Sequence, residues 1–142
     1  MSIIEKLQAE SNNINAVKNE VISEITTSFS NYLENDFESF LEKNINNSAK
    51  QKREYKLCYK FCEHSPGYSP TQFFVAGWKW KNESVPNYSY DQNFYKGIRL
   101  KDIQEEVMTQ LLFLLKKHLK KEGFTYSVNH LNYRGGVVSI YW

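Results

Sequence analysis

Between Asp102 and Gly123 the apolar positions Ile103, Val107, Leu111, Leu115 and Leu119 recur every four residues, and Met108, Leu112 and Leu114 widen the stripe. That period predicts an amphipathic core helix with one wet face. Asp102 is placed to cap its first turn, with Glu105 reaching back as in a capping box. Lys116, Lys117, Lys120 and Lys121 complement the dipole at the far end, and Gly123 suits the left-handed residue that closes a helix.

A second amphipathic stretch runs over residues 3–46, with Ile4, Leu7, Ile14, Val17, Val21, Ile25, Phe29, Leu33, Phe37 and Leu41 at spacings of three and four and no glycine or proline. Ser11-Asn12-Asn13 is read as a break between a short first helix and a longer second one, and Asn46-Asn47-Ser48 as the end. So long an apolar face calls for a kink around a sheet or for packing on another subunit.

Strict alternation over Tyr55–Cys62, with Tyr55, Leu57, Tyr59 and Phe61 on one side, predicts a half-buried strand. A turn-rich segment containing Pro66, Gly67 and Pro70 separates it from a second strand over Gln72–Lys81, and the two are expected to pair as an antiparallel hairpin. Residues 82–97 read as one long irregular loop. Phe124–Leu131 and Val137–Trp142 predict two further strands, with Gly135-Gly136 as their turn. The expected architecture is therefore α+β. Elements follow in the order helix, hairpin, helix, hairpin, and a four-stranded antiparallel sheet carries helices on one face. A single domain spans residues 1–142, its first 49 residues an amphipathic helical segment and residues 50–142 a ββαββ sheet region.

Composition narrows the function classes. Ten Tyr, nine Phe and three Trp in 142 residues favour sheets and contact surfaces and argue against disorder. No apolar run is long enough to span a bilayer, and the first residues lack the pattern of a secretion signal, so an intracellular, cytoplasmic location is expected. The net charge of +2 is small but uneven. Residues 1–49 carry eight acidic and three basic side chains, or −5, and residues 50–60 carry five basic and one acidic, or +4. Mutual neutralisation of the two runs is the expected arrangement, since most charge runs are solvated faces.

Candidate chemistry is sparse. Cys58, Cys62 and His64 alternate along a strand direction, which sets residues four apart at roughly 13 Å, too far for one ion. No cofactor or metal site is expected, and no nucleophile elbow or phosphate-cradling glycine motif occurs. Two surfaces remain. Tyr68, Tyr88, Tyr90, Phe94 and Tyr95 lie among small polar residues, the composition of adaptable protein-binding loops. Lys56, Lys60, Trp78, Lys79, Trp80 and Lys81 would form a basic, aromatic hairpin face suited to single-stranded nucleic acid. Against that stands the ordinary role of sheet tryptophans in the core.

The run of helix, Lys121-Glu122-Gly123-Phe124, strand, glycine turn and Ser139-Ile140-Tyr141-Trp142 resembles the ends of small α+β proteins of phages and large DNA viruses. The resemblance covers under a third of the chain, rests on structural punctuation and transfers no functional residue. It implies a phage or viral origin, with the host cytoplasm as location. The leading expectation is a non-catalytic protein-interaction or assembly module that contacts another protein and offers its first helix as a homodimer seam. Single-stranded nucleic-acid binding is the alternative, and a small enzyme without a recognisable motif the third.

Overall fold

A computed structural model describes residues 2–60, 72–74, 94–132 and 135–142. The chain opens with one long helix, α1, over Ile3–Asn35. Ser2 caps it in a reciprocal box: the Glu5 amide donates to Ser2 Oγ at 3.1 Å, and the Ser2 amide donates to Glu5 Oε2 at 3.4 Å. The expected break at Ser11-Asn12-Asn13 does not occur. Each of these residues costs only a few tenths of a kcal/mol in a helix interior, less than interrupting a helix that is favourable on both sides. The helix turns instead at Asp36, where φ is −125°, and resumes as α2 over Phe37–Asn44. Asn46 does not end the helical region either. Its side chain accepts the Ala49 amide at 2.9 Å and starts a short third helix, α3, over Asn47–Lys52.

Strand β1 covers Glu54–Lys60, and β2 covers Gln72–Phe74, the rest of the expected Gln72–Lys81 strand lying outside the described residues. A two-stranded ribbon follows, with β3 at Phe94–Tyr95 and β4 at Ile98–Arg99. Its turn residues Lys96 and Gly97 both have positive φ, at 51° and 78°, as a two-residue primed turn requires. These residues were expected to belong to a structureless loop. Helix α4 runs over Gln104–Lys121, and the hairpin of β5 (Thr125–Asn132) and β6 (Gly135–Tyr141) completes the described chain.

The strand order is β2-β1-β6-β5. Three of these strands, β1, β6 and β5, are antiparallel, while β2 adds three residues along the other edge of β1 and runs parallel to it. The expected four-stranded antiparallel sheet and its first hairpin are corrected on this point. The antiparallel partner of β1 is the distant β6. Their register sets Tyr55 against Ile140 and Leu57 against Val138. All four are buried, so apolar matching across a gap of some eighty residues outweighs proximity in the chain. Gly135 and Gly136 are not the turn; they lie in β6, paired with Lys60 and Tyr59.

The helices lie against the buried face of this sheet. On α4 the four-residue repeat from Ile103 to Leu119 and Met108 are buried, while Leu112 and Leu114 at the edge of the predicted stripe are half-buried. The start differs from the expected one: a 3-10 turn over Leu100–Ile103 precedes α4, and its first turn has no side-chain cap. Asp102 faces Arg99, Oδ1 to Nη2 at 3.4 Å, because burial of Leu100 and Ile103 fixes the entry of the chain. At the other end Gly123 takes φ +88°. There the Gly123 amide donates to the Lys120 carbonyl at 3.1 Å and the Phe124 amide to Leu119 at 3.0 Å, a Schellman closure. The opposite sheet face carries Lys56, Thr125, Ser127, Asn129, Ser139 and Tyr141, exposed or half-buried, with Ser127 Oγ 3.3 Å from the Tyr141 hydroxyl.

Candidate functional site

Two surfaces stand out, both built on the first helices. The apolar stripe of α1 is continuous in angle from Ile3 to Leu33, but its surroundings are not. Val21, Ile22, Ile25, Phe29 and Leu33 sit in the core, whereas Ile3, Ile4, Leu7 and Ile14 are 66%, 64%, 52% and 53% exposed. Every residue from 3 to 16 is exposed, so about 20 Å of helix projects beyond the body. The boundary is set by the β3–β4 ribbon. Lys96 Nζ lies 3.2 Å from Glu20 and 3.0 Å from Glu24, and the Tyr95 hydroxyl donates to Glu24. The two carboxylates, Glu24 first, hold the Lys96 ammonium well above its ordinary pKa. The expected neutralisation of the acidic first third by the basic run at 50–60 is not met among the described residues. The ion pairs of that first third among these residues go to Lys96, Lys121 and His118.

The second surface is a cleft of about 690 Å³ at the foot of α1, where the chain turns through Asp36. Leu33, Phe37, Leu41 and Leu119 form an apolar floor, all buried. Phe124 and Trp142 form a wall, edge to face at 6.4 Å, and Trp142 is 42% exposed. Glu34, Glu38, Glu42 and Glu122 line the cleft together with Lys50 and the His118 ring. His118 packs its ring on Phe37 at 5.8 Å between centroids and places Nδ1 3.8 Å from Glu34. Glu34 also receives Lys121 at 3.4 Å. Glu38, Glu42 and Glu122 make no ion pair among the described residues.

The residues singled out from sequence fare unevenly. Phe94 is 60% exposed at the tip of β3. Tyr95 is half-buried and tied to α1 through Glu24. Tyr68, Tyr88 and Tyr90 lie outside the described residues, as do Trp78, Lys79, Trp80, Lys81, Cys62 and His64. Lys56 is exposed on the outer sheet face, and Lys60 closes β1 with its side chain outside the described set. Sequence reasoning missed the cleft. Half its signal was present, in the interleaving of Phe37 and Leu41 with Glu34, Glu38 and Glu42. The other half comes from residues some eighty to a hundred positions later.

Among the described residues no three His, Cys, Asp or Glu side chains converge as metal ligands, and no helix is long and apolar enough to cross a membrane. No protein-family model, curated protein or solved structure matches the chain.

Proposed function

We propose that this chain is a non-catalytic assembly module that pairs with a second copy of itself through the projecting part of α1. One observation carries the reading: the stripe that builds the core continues, uncovered, for four turns beyond it. Isolated apolar side chains at a surface are ordinary, but a row of them on a projecting helix resembles a seam awaiting a partner. The positions also suit a two-fold arrangement. Ile4, Leu7, Ile14 and Val17 are symmetric about the Glu10–Ser11 bond. Two antiparallel copies therefore set Ile4 against Val17 and Leu7 against Ile14, twice over, as an isologous contact demands. The projecting segment is matched in length to itself, so each body sits just beyond the end of the other helix.

Light scattering coupled to size exclusion, run over a range of concentrations, tests this. A dimer is expected that becomes monomeric in Leu7→Asp/Ile14→Asp with helical circular dichroism retained. A monomer at every concentration in the wild-type chain refutes it. The exposed Phe94 supports a further protein contact, which on the sequence pattern would also use Tyr95, Tyr88, Tyr90 and, from a separate turn-rich segment, Tyr68. The second reading, single-stranded nucleic-acid binding through Lys56, Lys60, Trp78, Lys79, Trp80 and Lys81, is supported by the open, polar outer sheet face around Lys56. It requires an affinity for oligonucleotide that falls steeply with salt and is lost in Lys56→Glu/Lys79→Glu.

A further inference from the structure

Independently of how α1 pairs, we propose that the cleft at its foot docks a segment of a partner protein that carries lysine or arginine residues alternating with large apolar ones. The floor and the rim ask for different chemistry from the same ligand. Leu33, Phe37 and Leu41 close the bottom of the cleft and are already buried, while half-buried Ile45 and Phe124 and the exposed Trp142 keep apolar surface open above them, so whatever settles there gains by leaving water. In the same lining, Glu38 and Glu42 stand without a cationic partner among the described residues, and Glu122 joins them from the end of α4. Three unpaired carboxylates around one cleft repel each other, and a cation brought between them relieves that repulsion. Trp142 adds a partly open aromatic face at the same edge, the surface over which an ammonium or guanidinium is held best.

The spacing favours a peptide over a small amine. Glu38 and Glu42 succeed one another by one turn of α2, roughly 5–6 Å. Alternate side chains of an extended strand repeat at about 6–7 Å on one face. A strand-like segment can therefore offer successive cations to successive carboxylates while its other side chains reach the floor. A single amine engages one carboxylate and leaves the other unused. The cleft volume of about 690 Å³ falls in the range of sites that enclose several side chains. Lys50 and the Lys121–Glu34 pair bound the cleft at two places, which restricts the cations of the ligand to the Glu38, Glu42 and Glu122 region.

The test uses the full chain and a fluorescently labelled eight-residue peptide of alternating leucine and lysine, read by anisotropy, with two comparison peptides and n-butylamine as a competitor. Expected is saturable binding by the leucine–lysine peptide, weakened about tenfold or more by Glu38→Gln/Glu42→Gln and by serine in place of leucine in the peptide. The glutamate-for-lysine peptide should not bind. Trp142→Leu should weaken binding while circular dichroism stays unchanged. Leu7→Asp/Ile14→Asp should bind as the wild-type chain does, which keeps this outcome separate from that of α1 pairing. The proposal is overturned by any of four results: no binding at about 1 mM peptide, equal affinity of the glutamine double variant, equal affinity of the serine peptide, or full displacement by an equimolar amount of n-butylamine.

Discussion

The sharpest prediction compares two substitutions on one face of α1, Ile14→Asp and Val21→Asp, seven residues and about 10 Å apart. Both put a carboxylate where a branched apolar side chain stood, and both carry the same small loss of helix propensity. Their surroundings differ completely: Ile14 is 53% exposed and Val21 0%. Val21→Asp forfeits about 1.5–3 kcal/mol of apolar burial and adds the cost of sinking a carboxylate with no partner, another few kcal/mol. Set against the roughly 5–15 kcal/mol typical of a domain, that removes a large share of the stability and is enough to unfold a domain at the low end of the range. Ile14→Asp should leave monomer stability within about 1 kcal/mol.

The same substitution should, however, weaken self-association. The exposed seam residues Ile4, Leu7 and Ile14 together leave somewhat under two full side chains open, worth about 2.5–5 kcal/mol per copy if covered. Doubled for a symmetric pair, that is comparable to the roughly 4–15 kcal/mol cost of association. The proposed dimer should therefore be weak and concentration-dependent. Removing Ile14 from both copies costs about 2–3 kcal/mol, a rise in Kd of roughly thirty- to more than a hundredfold. Sedimentation velocity over a concentration series measures the Kd, and urea unfolding at a concentration where the chain is monomeric measures stability free of mass action. If Val21→Asp is as stable as Ile14→Asp, the core does not end where the structure ends it. If Ile14→Asp leaves the concentration dependence unaltered, the projecting face is not the seam.

Leu119→Ala, at a fully buried position that joins the core to the cleft floor, should lower the unfolding free energy by about 2–5 kcal/mol in urea titration. Gly123→Ala should cost about 1 kcal/mol through conformation alone, because φ is +88° while an added Cβ meets nothing within 4 Å; an equal loss in Gly123→Asn would show that the left-handed backbone is not the cause. Burial first, then Asp36 and Tyr55, raises the Tyr32 hydroxyl pKa well above its ordinary value of 10.0. The unfolded chain can ionise this group where the folded chain cannot. Its contribution is thus fully present below pH 10 and is lost as pH rises beyond it, so urea midpoints above pH 10 should fall more steeply for the wild-type chain than for Tyr32→Phe.

Much of the local structure was legible. The period of α4, its closure at Gly123 and the apolar face of α1 depend on interactions within a turn or two, and the sequence states those directly. The alternation of β1 was equally plain, and the last two strands were read near their actual spans. Errors gathered where a local signal was weak and a distant one strong. Ser11-Asn12-Asn13 looked like a break because its propensities are middling, yet nothing there forbids a helix. Gly135-Gly136 looked like a turn, yet pairing with β1 draws both glycines into β6. Lys96-Gly97 carried a hairpin signal that went unread because Lys is an uncommon residue at a positive φ.

What the sequence determined by itself is which residues face together along each element, and hence an α+β chain with two amphipathic helical regions and a half-buried sheet. Only the tertiary structure decided what each face meets. It paired β1 with β6, and it ended the cover over α1 near Val21, where the Lys96 ribbon reaches Glu20 and Glu24. It also closed Glu38 and Glu42 against Glu122 and Trp142 into one cleft. The physical reason is that periodicity records how a side chain points relative to its neighbours in the chain, whereas burial and charge pairing depend on residues that come within a few ångströms only when the fold closes.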